Sequence, residues 1–62
     1  MVVKDLAQML SDSVNLFLRF EGDEIIYSPS LAAITDNLVI DHIELESAEQ
    51  IRAYIKLQPA TL

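Results

Sequence analysis

A chain of 62 residues without a single cysteine has to hold itself together by burial alone, and that limits what it can fold into. Two hydrophobic cores would leave each half too small for burial to outweigh chain entropy, so residues 1–62 are expected to form one domain. Folding at this size hides roughly 60% of the surface that the unfolded chain exposes. The core then supplies only about 3–5 kcal/mol of net stability unless self-association or a partner adds to it. The lack of cysteine also removes thiol nucleophiles, redox pairs and thiolate metal sites, and it suits an intracellular setting better than a small secreted one. The longest apolar runs, at 31–34 and 38–40, fall far short of the about 20 residues that a membrane span needs. Residues 1–5 show no basic segment leading into a long apolar stretch, so the expectation is a cytoplasmic location with no membrane contact.

Within that one domain, hydrophobic periodicity assigns the elements. Val3, Leu6, Ala7, Met9 and Leu10 fall on one helical stripe, which should end near Ser11, Asp12 and Ser13, whose side chains compete for backbone hydrogen bonds. Val14, Leu16, Leu18 and Phe20 then alternate with Asn15, Phe17 and Arg19, the period of a strand with one face on the core. Gly22, the only glycine, lies between Glu21 and Asp23 and is expected to close a hairpin at positive φ, with 24–27 as the returning strand. Pro29 cannot donate to a sheet ladder. After it either Ser28 caps a single helical turn with Pro29 in the first helical position and Leu31 to Ile34 packing inward, or the strand continues to Ile34 and turns at 35–37.

Residues 38–46 read as a further strand whose alternation slips between Ile40 and Ile43, as a bulge allows. The stretch 47–58 is ambiguous. Ile51, Ala53, Ile55 and Leu57 alternate as in a strand, yet Ser47 to Gln50 has capping-box spacing and holds no tight-turn residue. Good helix formers, a face of Ala48, Ile51, Tyr54 and Ile55, and charges that suit the helix dipole favour a helix stopped by Pro59. The expected fold is therefore α+β: a three-stranded antiparallel sheet flanked by an N-terminal and a C-terminal helix, in the order α-β-β-β-α.

The chemistry of active sites is absent. A phosphate-cradling loop needs several glycines, and Gly22 stands alone. A serine or threonine nucleophile needs an oriented base, for which only His42 is available, in a domain too small for an enclosed pocket. Asp41, His42 and Glu44 form the one metal-like cluster, but in an extended segment His42 and Glu44 share a face while Asp41 points away, so at most two ligands converge. The expectation is no catalytic residue, no metal, no cofactor and no enzyme.

Charge is the most specific feature. Ten acids against four bases give a formal net charge of −6, which repels phosphate backbones and argues against direct nucleic-acid binding. Lys4, Arg19, Arg52 and Lys56 are the cations, so residues 20–50 contain none, and eight of the ten acids lie there. Without local cations these carboxylates are expected to be solvated or answered by a partner. Solvation alone would make them guardians against edge-to-edge aggregation. Alternatively, carboxylates two apart on a strand, such as Glu44 and Glu46, are spaced by about 6.6–6.8 Å, of the order of successive phosphates, and could enter a basic groove meant for DNA or RNA. The candidate partner-binding residues are Glu21, Asp23, Glu24, Asp41, Glu44 and Glu46.

The size, the missing cysteine, the acidic strands and turns, and a strand running into a helix over 43–51 resemble the small acidic anti-CRISPR proteins of phages and mobile elements. That group has no diagnostic motif, and no residue-level site is carried over from it. The resemblance implies a protein that binds a CRISPR effector and blocks target DNA by DNA mimicry. The wider expectation is an inhibitor of a basic nucleic-acid-binding protein or complex. Two alternatives are an immunity protein or antitoxin that neutralises a nuclease, and a structural homodimer of a phage whose apolar interface uses Phe17, Tyr27 and Tyr54.

Overall fold

The computed structural model describes residues 1–56, and within them the chain is a small α+β fold with a four-stranded mixed sheet and two helices. Helix α1 spans Val3–Met9 and leads into β1, Asn15–Arg19. Its first turn is satisfied by backbone rather than by a polar cap: Val3 and Lys4 N–H donate to the carbonyls of Leu38 and Asp36 at 2.9 and 3.0 Å. Asp5 completes the turn by accepting from the Val2 N–H at 3.5 Å.

Gly22 closes the hairpin to β2, Glu24–Ile26, at a φ of +87°, as its position between two strands predicts. Pro29 then opens a 3-10 turn, Pro29–Leu31, that runs into α2, Ala32–Thr35. Of the two readings of 28–36 the helical one forms, but Ser28 makes no side-chain cap and Ile34 is 74% exposed instead of packing inward. Ser28 is extended and Pro29 occupies the first helical position, where its missing N–H costs nothing. The buried Thr35 hydroxyl donates back to the Leu31 carbonyl at 2.9 Å.

Strand β3, Ile40–Ser47, pairs antiparallel with β4, Gln50–Ile55, and the bulge expected in 38–46 lies between Ile40 and His42. Strand β4 corrects the expected C-terminal helix over the described part of 47–58, and residues 57–59, with the proposed Pro59 stop, lie outside the described residues. The physical reason is burial. Ala53 and Ile55 enter the core as alternating strand residues, which a helix could not bury together against a sheet. The turn, for which 47–50 holds no tight-turn residue, is made without any residue at positive φ. Ser47 Oγ accepts the Glu49 N–H at 3.3 Å, and a slip in register between Leu45 and Ser47 absorbs the mismatch in twist. The Glu49 carbonyl then accepts the Asn15 N–H at 2.8 Å, fixing the turn against β1.

The added strand changes the topology. The sheet order is β2-β1-β4-β3, with β1 and β4 parallel in the centre and β2 and β3 antiparallel at the edges, instead of three antiparallel strands in an α-β-β-β-α chain. One face carries Leu16, Leu18, Ile40, Ala53 and Ile55 against Val3 and Leu6 of α1, with Ile25, Tyr27, Leu38 and Ile51 around them. No helix among the described residues is long and apolar enough to cross a membrane.

Candidate interaction surface

Alternation that buries Leu16, Leu18, Ala53 and Ile55 on one face sends their neighbours to the other, which no helix covers. Two rows run across this outer face. Glu24, Arg19, Tyr54 and His42 form one, and Ile26, Phe17, Arg52 and Glu44 the next. Arg52 organises them. Its Nε donates to Glu24 Oε1 at 2.5 Å and its Nη1 donates to Glu46 Oε1, so one guanidinium ties an acid on each edge strand to a central strand. Glu24 above all, then the Tyr54 hydroxyl and the charge of Glu46, push the Arg52 pKa upward.

The expectation that the acids of 20–50 lack cations is thus corrected for Glu24 and Glu46. Arg52 lies just beyond the cation-free stretch in sequence, and antiparallel pairing folds it back over that stretch, opposite Glu44. Glu44 itself interacts with the Tyr54 hydroxyl and raises its pKa, an effect that Arg52 partly offsets. The Tyr54 ring stacks on His42, with centroids 4.2 Å apart and planes inclined by 13°.

The six candidate acids separate into two groups. Glu24, Glu44 and Glu46 share the outer face around Arg52. Glu21 and Asp41 line a shallow groove of about 570 Å³ at the end of the sheet, where Arg19 and Lys56 also stand, and Asp23 sits in the neighbouring β1–β2 turn. Asp41 Oδ2 lies 3.3 Å from His42 Nδ1. The bulge brings this about by displacing Asp41 from the regular alternation. Among the described residues no three acidic or histidine side chains are gathered as a metal site.

The sequence alone assigns Arg52 and Ile26 no place in a site, and it offers Phe17 only for a homodimer interface and His42 only as a base or in a metal-like cluster, not for this shared outer face. The signal was the alternation of 51–55, which, read as a strand, puts Arg52 and Tyr54 beside Glu44 and His42. The same change alters two further expectations. The 43–51 stretch behind the anti-CRISPR resemblance runs strand, turn, strand rather than strand into helix. The apolar trio proposed for a homodimer is divided, since Phe17 and Tyr54 face outward while Tyr27 packs on the core side and its hydroxyl donates to Asp36 Oδ1 at 2.9 Å. Comparison with protein-family models, with curated proteins and with solved structures finds no match for this chain.

Proposed function

We propose that this protein is an acidic protein-binding module that docks on the electropositive surface of a nucleic-acid-binding protein or complex and keeps nucleic acid away from it. One observation carries the reading: Asp41, Glu44, Glu46 and Glu49 are exposed on a single edge hairpin whose residues 40–50 hold no lysine or arginine. Arg52 answers Glu46, while among the described residues Asp41 meets only His42, Glu44 only the Tyr54 hydroxyl, and neither they nor Glu49 pair with a lysine or arginine, so these three remain to meet a partner's cations. A row this short adds speed and selectivity of docking more than it replaces a whole stretch of phosphates. A CRISPR effector, which the resemblance implies, and a nuclease held by an immunity protein would each offer such a surface, and both act inside a cell.

The test is affinity capture from the host lysate at low and high salt. The bait is the full chain or its Glu44→Lys, Glu49→Lys double variant, both positions lying outside the Arg52 contacts. The captured species is expected to be a basic nucleic-acid-binding protein that is lost with the double reversal and with added salt, while circular dichroism shows the fold retained. Undiminished capture by the reversed variant would reduce the acids to a device for solubility.

A further inference from the structure

The far side of β3 is a sheet edge, and the molecule already occupies the beginning of it. Val2 forms an antiparallel bridge with Val39, and the Ile40 N–H donates to the Met1 carbonyl at 2.9 Å. The pairing ends there. From Asp41 to Ser47 the strand has β4 on one side and, among the described residues, no strand on the other. In antiparallel pairing alternate residues direct both backbone polar groups to the same side, so about every second residue of this stretch offers an N–H and a C=O outward.

The side chains of the open stretch are sorted by face. His42, Glu44 and Glu46 lie on the outer face, and Ile43 and Leu45 lie on the face that elsewhere forms the core. They lie beyond the helices with nothing over them among the described residues, and Ile43 is 38% and Leu45 78% exposed. Of the usual edge protections this stretch has acidic side chains and a register shift near each end, which turn away strands of like charge, but no proline, lysine or inward-pointing charge that would turn away a basic one.

We infer that this open edge takes up an extended segment of the partner as a fifth strand, one that alternates lysine or arginine with apolar residues. The inference rests on the basic partner proposed above and adds how that partner is held. A cation on one face of the incoming strand meets Glu44, whose neighbour Glu46 is already held by Arg52, and apolar side chains on its other face cover Ile43 and Leu45, with main-chain hydrogen bonds between them. A second copy of this chain fits worse, because β3 against β3 sets Glu44 and Glu46 beside the acids of the other copy, and like charges across a ladder destabilise it.

The experiment titrates the isotope-labelled full chain with three synthetic peptides and follows backbone amides by NMR. The first alternates lysine with valine, the second has the same composition with lysines and valines in separate blocks, and the third is the first with alternate amides N-methylated. The alternating peptide is expected to shift and protect the amides of Asp41 to Ser47. N-methylation should weaken binding by about tenfold or more, because it removes main-chain donors. Equal binding of all three peptides without protection of β3 would overturn strand addition and leave the acidic docking surface standing. No binding of any peptide would also overturn it, and the lysate capture would then decide the docking surface separately. Concentration-dependent protection of β3 without peptide would assign the edge to a second copy and overturn the inference as well.

Discussion

Replacing Leu18 by alanine and, separately, Leu45 by alanine removes the same atoms from two strands of one sheet, and the structure assigns them very different consequences. Leu18 is 0% exposed in the middle of β1, opposite Ile25 on one side and Ala53 on the other. Hydrogen-bonded strands on both flanks limit how far the site can collapse, so loss of transfer energy and the residual cavity together cost about 3 kcal/mol. That is most of the about 3–5 kcal/mol that a core of this size supplies. Leu45 is on the same face of the sheet but beyond the helices and 78% exposed, so only about a fifth of its side chain is withdrawn from water, worth about 0.5 kcal/mol. Urea titration followed by far-ultraviolet circular dichroism reads the contrast. With a slope of about 1 kcal/mol/M, the Leu18→Ala midpoint should fall about 2–3 M below that of Leu45→Ala. Coincident midpoints would refute the placement of the core. A large loss in Leu45→Ala alone would mean that another molecule covers Leu45 in solution.

Two further substitutions probe contacts that position the hairpins. Tyr27→Phe removes the hydrogen bond to Asp36 and should cost about 1 kcal/mol at neutral pH by thermal melting. The Asp36 hydrogen bond raises the Tyr27 pKa above its ordinary value of 10.0, so the folded state holds this proton more tightly than the unfolded state. Stability from Tyr27 is therefore complete below pH 10 and lost as pH rises through the folded pKa, and the Tyr27→Phe variant should show a shallower alkaline decline. An unchanged alkaline slope would rule this contribution out. Gly22→Ala introduces a side chain that meets no atom within 4 Å but must adopt a φ of +87°, and a loss of about 1 kcal/mol by denaturant titration is expected from backbone strain alone. A neutral result would show that the turn relaxes to a different geometry.

The first half of the fold was legible because its signals agree with one another. Helical spacing from Val3, alternation from Val14 and the lone glycine each point to the element that forms, whereas Pro29 leaves a helical turn and a continued strand both open. The bulge near Ile40 was legible for the same reason, as a local break in an otherwise regular pattern. At 47–58 the signals conflict. Propensity favours a helix and alternation a strand, and the decision rests on long-range pairing with β1 and β3, which lies outside the segment. The turn at Ala48 and Glu49 was hidden because it relies on a register slip and a serine side chain instead of a residue suited to positive φ. With β4 went the candidate surface: the identity of the acids was readable, but their division into two groups was not, because the cation that divides them belongs to the misread strand.

That cation also decides what the acidic run can do. Read along the chain, residues 20–50 form an unbroken anionic segment. Read across the sheet, Arg52 stands between Glu24 and Glu46 and holds the two edge strands to the centre. Exposed ion pairs of this kind contribute little individually to stability, but they remove Glu24 and Glu46 from the set that could greet a partner and leave Asp41 and Glu44 of β3 and Glu49 of its turn. These carboxylates lie along one open edge and its turn, where, among the described residues, outward backbone groups have no strand to pair with and two apolar side chains stay exposed. Charge steers an encounter without fixing its register, whereas a strand edge fixes register without acting at a distance. Both occur on the same seven residues, Asp41 to Ser47, which is why the proposed partner is defined by an alternating pattern of basic and apolar residues and not by net charge.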